Sequence, residues 1–419
     1  MHPFFADTVS YGGMRVRGNT ARAEQPDYVP RKRDLMRIER FQYHDQVLQW
    51  RLGETFFSDL TLLVGVSGVG KTQILRALLN VKRIALGRVL NGLKWEMTFT
   101  TRDNHCYLWQ GEFETLDRPV LDELDLGGDA DSPSSDKPRL LSESLHLDGD
   151  EIIRRNDREI TFKGDRIPRL SPSVSVVSLL SEEDDVAPAY EAFQSVLHSD
   201  QSSPSQPYNQ IPFSAFDKLK ERYGTLADIQ HSELPTQLKL ALVSECEPEV
   251  FATIRDRFIE IFPQVVGMKV EPVSDDRFPP FIVPTRVIQI KEKGVSEWIH
   301  QRQISSGMLR TIFHLAEMYL WPEGTVILID EFENSLGVNC IDVLTEDLLQ
   351  PHRSLQFIIT SHHPYVINNV GPEHWKVVRR KGGVVTTHDA KSLGLSQSSH
   401  EAFIQLLNNE EYREGIAAS

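Results

Sequence analysis

The segment Gly65–Thr72 has the residue types and spacing of a phosphate-binding loop. Its sequence, GVSGVGKT, matches the pattern G-x-x-x-x-G-K-[ST] and stands between an apolar stretch and a helical pattern, as that motif requires. Glycines let backbone N–H groups turn towards a phosphate, and the first turn of the following helix adds a favourable dipole. We expect Lys71 to contact the β- and γ-phosphates of a nucleotide and the Thr72 hydroxyl to bind Mg²⁺. The predicted nucleotide contacts are Gly65, Ser67, Gly68, Val69, Gly70, Lys71, Thr72 and Gln73.

A second segment, Ile327–Glu331, supplies two carboxylates. It reads ILIDE, an apolar strand pattern that ends in Asp330 and Glu331. At the carboxyl end of a strand, Asp330 can reach the Mg²⁺ shell and Glu331 can polarise an attacking water, which predicts hydrolysis of a nucleoside triphosphate. More than half of the chain separates Lys71 from Asp330, further than a compact small GTPase or a simple nucleoside kinase needs. The sequence has no NKxD-type tetrapeptide for reading guanine, which favours ATP over GTP.

Hydrophobic patterns predict the elements that must hold these residues. LTLLV, TVILI and LQFIIT are typical of buried strands, and QILRALLNVKRIAL, after the phosphate loop, is typical of a helix. Alternating apolar and polar residues around Asp103-Asn104 predict a hairpin, and HWKVVRR with GVVTTHD predicts another. A further helix is expected to begin near Ser306.

Four motifs follow one another in an informative order: GVSGVGKT, QISSGMLR, ILIDEFENSLG and IITSHHP. In this order they resemble the motifs of ABC-type ATPases of the SMC-like and OLD-like class. The resemblance covers the nucleotide core, roughly residues 35–92 and 282–380. It implies an α/β fold, namely a P-loop ABC-type ATPase head that has a mixed sheet with an antiparallel β subdomain and a helical insertion.

The resemblance also assigns roles to residues outside the phosphate loop. Ser305, Ser306 and Gly307 look like a degenerate signature motif, which in this class acts across a head-to-tail dimer on the γ-phosphate held by the partner subunit. His362 looks like the switch histidine that senses the γ-phosphate, with the adjacent His363 as the alternative. The signature has Met308 where a second glycine is usual, so slow or partner-gated hydrolysis is expected.

Composition changes along the chain predict its organisation. Residues 1–34 form an N-terminal arm, and 35–181 form the first half of the ATPase core, with an acidic linker at about 122–138. Residues 182–265 form the helical insertion, and 266–419 form the second half of the core.

Composition and charge exclude several classes of protein. The chain has 419 residues, of which 40% are hydrophobic and 25% charged, as in soluble globular proteins. It has no secretory signal, no long apolar run and three widely spaced cysteines, so we expect a cytoplasmic protein without a membrane, disulfide or zinc role. The net charge of −15 argues against a protein that coats nucleic acid. Much of that charge lies between Gly111 and Asp150, and basic residues near the N-terminus leave local DNA binding open.

The sequence features expected of an effector domain are missing. The chain ends about forty residues after the predicted core, so no Toprim nuclease is expected, and the insertion is too short for an SMC coiled coil. The chain therefore resembles the standalone ATPase subunits of anti-phage systems, such as Septu, in which the partner is an HNH nuclease, or PARIS. That resemblance implies a switch that controls a separate nuclease. The alternatives are a RecF-like or SMC-like repair clamp that binds DNA directly and, third, the nucleotide-binding subunit of a transporter.

Overall fold

The computed structural model describes residues 36–117, 137–199, 213–273, 285–334, 336, 338–349 and 353–408. The predicted N-terminal arm and nearly all of the predicted acidic linker lie outside these residues.

Most of the strands belong to one large mixed sheet. The strands are β1 (Arg37–Asp45), β2 (Trp50–Phe56), β3 (Leu60–Val64), β4 (Leu93–Thr100), β5 (Cys106–Phe113), β6 (Leu140–Leu147), β7 (Asp150–Arg155), β8 (Ile160–Phe162), β9 (Asp165–Ile167), β10 (Val196–Ser199), β11 (Val265–Val273), β12 (Thr285–Glu292), β13 (Ile299–His300), β14 (Thr325–Ile329), β15 (Leu355–Ser361), β16 (Trp375–Lys381) and β17 (Val384–Asp389). The large sheet has the order β10-β14-β15-β3-β16-β17-β2-β1-β4-β5-β6-β7-β8-β9, and β11, β12 and β13 form a small separate sheet.

Helices cover the large sheet and fill the insertion. They are α1 (Lys71–Ala85), α2 (Val176–Leu179), α3 (Ala187–Gln194), α4 (Phe213–Arg222), α5 (Leu226–His231), α6 (Thr236–Cys246), α7 (Pro248–Ile261), α8 (Ser306–Leu320), α9 (Val338–Leu349), α10 (Pro364–Asn369) and α11 (Ser399–Asn408). No helix in the described part of the chain has the length and apolar composition that a membrane span needs.

One half of the large sheet is parallel and buried. Strands β10, β14, β15, β3 and β16 run in the same direction, and every residue of β3, β14 and β15 is buried. Burial on both faces explains why these strands read as unbroken apolar runs. Since parallel strands end at the same edge, the segments that follow β3, β14 and β15 meet there.

The other half is antiparallel. Strands β1, β4, β5, β6 and β7 pair in that order, and the Asp103-Asn104 turn joins β4 to β5 as predicted. Their buried face alternates with exposed residues and carries a cluster of aromatic rings that includes Trp95, Trp109 and Phe113. The predicted fold class, a mixed α/β sheet with an antiparallel part and a helical insertion, is confirmed.

The predicted helical insertion also contributes to the large sheet. Helices α3 to α7 lie within residues 182–265, but β10 lies there too and pairs in parallel with β14 at the edge of the sheet. Its four residues, Val-Leu-His-Ser, are too few and too mixed in polarity to give a strand signal. Contact with β14 decides its conformation.

Gln356 ties the antiparallel half to the parallel half. It lies on β15, where its side chain is 1% exposed. Its Oε1 accepts from the Ile38 N–H at 2.9 Å, and its Nε2 donates to the carbonyls of Ile38 at 2.9 Å and Ser58 at 3.0 Å. One buried amide therefore satisfies three backbone groups, two of Ile38 in β1 and one of Ser58 just before β3.

Replacing Gln356 with Met should destabilise the fold. The change keeps the volume of the side chain but leaves buried backbone groups of Ile38 without partners, so the free energy of unfolding should fall by about 2–4 kcal/mol. Urea denaturation followed by circular dichroism measures it. Gln194→Met, at an exposed position on α3, is the control and should change stability by less than about 0.5 kcal/mol. Equal stability of the two variants would contradict the role assigned to Gln356.

Candidate ATP-binding site

The loop between β3 and α1 is shaped for a phosphate by its glycines. Gly68 and Gly70 have φ angles of +86° and +106°, in the left-handed region that glycine tolerates. Gly65 is required for a different reason, because a Cβ atom there would lie 2.8 Å from Val69 Cγ2 and 3.0 Å from the carbonyl oxygen of Val378. Glycine at these positions lets the loop fold tightly over the start of α1.

The Lys71 ammonium lies over this loop. Its Nζ donates to the carbonyl oxygens of Gly65 at 2.6 Å and Val66 at 3.1 Å. Burial lowers the pKa of Lys71, and nearby carboxylates, Glu333 foremost, oppose that shift. The ammonium is positioned to exchange these carbonyls for phosphate oxygens.

A hydrogen-bonded chain of hydroxyls and carboxylates crosses the ends of three strands. Thr72 Oγ1 donates to Asp330 Oδ1 at 3.2 Å, and Thr360 Oγ1 donates to the same oxygen at 2.6 Å. Thr360 Oγ1 also accepts from the Glu331 N–H at 2.8 Å. Thr360 was not among the predicted site residues, because a threonine inside a buried apolar strand gives no signal by itself.

These residues fit Mg²⁺. Hard cations prefer oxygen ligands, and neighbouring ligands of Mg²⁺ lie about 3 Å apart when each is about 2.1 Å from the ion. Thr72 Oγ1 and Asp330 Oδ1, at 3.2 Å from each other, match that spacing. They could hold the ion together with phosphate oxygens and water.

Glu331 adopts an unusual backbone conformation. Its φ angle of +48° is in the left-handed region, which costs a non-glycine residue about 1–3 kcal/mol. The bond to Thr360 and a bond from the Asn334 N–H to the Glu331 carbonyl at 2.7 Å hold it there. The side chain is exposed and lines the phosphate pocket. A carboxylate here can polarise a water beside a γ-phosphate.

His362 is held by Glu333, which was not among the predicted site residues. Glu333 Oε1 accepts from the His362 N–H at 2.9 Å and lies 2.9 Å from His362 Nδ1. Glu333 is only 7% exposed, and its Oε2 has no hydrogen-bond partner among the described residues. A carboxylate beside Nδ1 favours the tautomer with the proton on Nδ1, which leaves Nε2 available to a ligand.

The neighbouring His363 has a different environment. Its Nδ1 accepts from the Tyr365 N–H at 3.2 Å and caps α10. His362, but not His363, lines the phosphate pocket. The geometry therefore favours His362 between the two alternatives.

The pocket has a volume of about 320 Å³. Its walls combine loop, strand-end and hairpin residues: Ser67, Gly68, Gly70, Lys71, Thr72, Gln73, Asp330, Glu331, Thr360, His362 and Arg380. Gly65 and Val69 do not line it, since Val69 is buried against Gly65. Arg380, on β16, adds a guanidinium that was not predicted, although the pair Arg379-Arg380 follows the apolar residues Val377-Val378 in the sequence.

The predicted signature residues lie apart from this pocket. Ser305 caps the N-terminus of α8, where its Oγ accepts from the Met308 N–H at 3.3 Å. Ser305 and Ser306 are exposed, and neither they nor Gly307 line the phosphate pocket of their own chain.

Comparison with known proteins supports the class of this site. Residues 253–368 match the family described as "AAA domain, putative AbiEii toxin, Type IV TA system". The match contains the predicted signature, both carboxylates and His362. A search of curated proteins found no match.

Solved structures of SMC heads are also similar to this chain. An SMC head bound to the C-terminal winged-helix domain of ScpA shares 11% identity, with a TM-score of 0.44, and the alignment covers 84% of this chain and 97% of that one. The Pyrococcus furiosus SMC head with an extended coiled coil, bound to the C-terminal domain of ScpA, shares 13% identity (TM-score 0.41; 90% and 100% covered). The Thermotoga maritima SMC head shares 13% identity (TM-score 0.38; 84% and 98% covered). The phosphate loop, the paired carboxylates and the match to an AAA domain family together support a nucleotide-binding site of the ATPase class.

Removing the Glu333 carboxylate should impair turnover more than nucleotide affinity. Both Glu333→Gln and Glu333→Ala should lower kcat for ATP at least about tenfold, because His362 loses its fixed orientation, while KM changes less. Steady-state ATPase assays give both constants, and ¹⁵N NMR of the ring nitrogens reports the tautomer of His362. Glu346→Ala, at an exposed position on α9, is the control. An unchanged kcat with lowered thermal stability would show that Glu333 is only structural.

Proposed function

We propose that this protein is a cytoplasmic ATP-hydrolysing switch subunit that works as a head-to-tail dimer or higher oligomer. In this proposal it controls a separate effector nuclease in bacterial anti-phage defence. The observation that carries the ATPase part is the convergence of Lys71, Thr72, Asp330, Glu331 and His362 on one pocket, from segments that are far apart in sequence.

The pocket residues divide the work of hydrolysis. Lys71 binds the β- and γ-phosphates, and Glu331 orients and polarises the water whose oxygen attacks the γ-phosphorus. The bond between the γ-phosphorus and the β–γ bridging oxygen breaks, and that oxygen leaves on ADP. The water oxygen stays on the product phosphate, and a proton of the water passes to Glu331. His362, held by Glu333, presents its unprotonated Nε2 as a hydrogen-bond acceptor to the attacking water. Mg²⁺, held by Thr72 and Asp330, would neutralise phosphate charge.

The exposed start of α8 supports the dimer. The first N–H groups of a helix have no partner within the helix, and together with the dipole they attract a phosphate. Ser305 Oγ satisfies the Met308 N–H, so the N–H groups of Ser306 and Gly307 remain as donors at this end. In a head-to-tail dimer they would face the γ-phosphate in the partner's pocket.

Mixing two inactive variants tests this arrangement. Lys71→Ala removes the phosphate lysine, and Ser306→Glu places a negative charge where the partner's γ-phosphate would bind. A glutamate in the first turn also suits the helix dipole, so α8 should fold. In a head-to-tail dimer, a mixed pair has one intact site, so an equimolar mixture should recover about a quarter of the wild-type rate if sites act independently.

The control for the mixture is Lys71→Ala combined with the Lys71→Ala/Ser306→Glu double variant, which cannot form an intact site in any pairing. ATPase rate and native mass with ATP are measured together. A mixture that stays inactive and forms no ATP-dependent dimer would contradict the proposed action across subunits.

Two observations support the proposal that this protein controls a separate effector nuclease. The motif series resembles standalone ATPases of Septu and PARIS, and the description of the matched family names a toxin of a toxin–antitoxin system. In both cases the ATPase-type chain belongs to a system with more than one component. The separate partner in this proposal is a nuclease, of HNH type if the system is Septu-like.

Affinity purification of Glu331→Gln from the native host tests the partner. This variant should bind ATP and stay closed, so with ATP and Mg²⁺ it should retain a nuclease in stoichiometric amount, identified by mass spectrometry and assayed on DNA. Lys71→Ala, purified in the same way, is the open control. A dimer that retains only DNA, with affinity that falls steeply with salt, would instead favour the alternative of a RecF-like or SMC-like DNA clamp.

A further inference from the structure

A second cleft adjoins the phosphate pocket and has no role in the proposal above. Its volume is about 510 Å³, and it shares Thr72, Asp330 and Glu331 with the phosphate pocket. Its remaining walls are the outer face of α1, the end of β10, and residues of α8 and of the segment after β14: Leu75, Arg76, Leu79, Asn80, Arg83, His198, Ser199, Arg310 and Asn334.

Three guanidinium groups line this cleft. Arg76 and Arg83 lie four and eleven positions after Thr72, so all three residues face the same side of α1. Both arginines are exposed and form no ion pair with any residue that the structure describes. Arg310 approaches from α8 and is 8% exposed. A row of positive charge therefore begins near the phosphate pocket and continues along α1 towards its C-terminus.

The rest of the lining indicates what kind of ligand fits. The acidic members of the lining, Asp330 and Glu331, are both at the end shared with the phosphate pocket. No residue of the lining is phenylalanine, tyrosine or tryptophan, and Leu75 and Leu79 are its apolar members. Single-stranded nucleic acids and nucleobases are usually bound through aromatic stacking. Guanidinium groups in a cleft that is not lined by these aromatic rings suit a small oxyanion such as phosphate.

We propose that this cleft receives and holds the inorganic phosphate that is cleaved from ATP, and that it is the exit route to solvent. The inference rests on the proposed ATP hydrolysis. After the γ-phosphoryl group has taken up the water oxygen, the product phosphate lies beside Thr72, Asp330 and Glu331, and ADP fills the loop side. The cleft begins at these three residues and reaches solvent at the exposed side chains of Arg76 and Arg83. The phosphate would move along it without further bond changes.

Binding of inorganic phosphate to the protein saturated with ADP, which fills the phosphate loop, is the first arm of the test. Isothermal titration compares wild type with the double variant Arg76→Gln/Arg83→Gln, which should weaken binding by about tenfold or more through loss of two charge-assisted contacts. Arg88→Gln, an exposed arginine just after α1 that does not line the cleft, should bind as wild type does. This arm does not depend on ATP hydrolysis.

Single-turnover kinetics are the second arm. Acid quenching measures the total phosphate formed from ATP, and a fluorescent phosphate-binding protein measures the phosphate released. In wild type, release should lag behind hydrolysis. In Arg76→Gln/Arg83→Gln the lag should shorten severalfold while the hydrolysis step keeps its rate, and Arg88→Gln should behave as wild type does.

The outcomes separate this inference from the proposed function. Equal phosphate affinity of the double variant and wild type would overturn the cleft as a phosphate site, whatever the ATPase activity. Arginine-dependent binding with no ATP hydrolysis would leave an anion site but overturn ATP as the source. Arginine-dependent binding with an unchanged lag would overturn the exit route. Displacement of bound phosphate by a short oligonucleotide at lower concentration would assign the cleft to a nucleic-acid phosphate instead.

Discussion

The Thr360 hydroxyl donates to Asp330 Oδ1 and accepts from the Glu331 N–H, so one side chain fixes two neighbouring carboxylate residues. Thr72 bonds to the same oxygen of Asp330 from the first turn of α1. These contacts exist because β14, β15 and β3 lie side by side in parallel, with Ile329 opposite Ile359 and Ser361 opposite Val64. A shift of register in these strands would separate the carboxylates from the phosphate loop.

Helix α1 lines two cavities, which have its residue Thr72 in common. Its N-terminus faces the phosphate pocket, and its outer face continues into the arginine-lined cleft through Thr72. Both cavities meet at Asp330 and Glu331, where negative side chains lie between positive groups on either side. The buried carboxylate of Glu333 lies beside His362 and near the Lys71 ammonium, and so continues this alternation of charge. A buried carboxylate is stable only near such compensating groups.

Local patterns in the sequence were sufficient to predict the strands and helices that hold the site. The glycine spacing of Gly65–Thr72, the apolar runs of β3, β14 and β15, and the alternation on either side of Asp103-Asn104 each predicted an element that the structure contains. The start of α8 near Ser306 was predicted as well. Such elements are set by backbone conformation and hydrophobic period, which neighbouring residues determine. The α/β fold class, which the resemblance of the four motifs to ABC-type ATPases implied, is confirmed, whereas the roles of the site residues remain predictions.

Residues whose importance comes from distant partners could not be found in this way. Thr360, Glu333 and Arg380 belong to the site only because the strand order brings their segments together, and a single threonine or glutamate has no periodic signal. The conformation of β10 depends on pairing with β14, and the cleft exists only where α1, β10 and α8 meet. The sequence by itself determined the elements and the phosphate loop. The tertiary structure decided which polar side chains share a pocket, because that depends on packing between segments separated by more than half the chain.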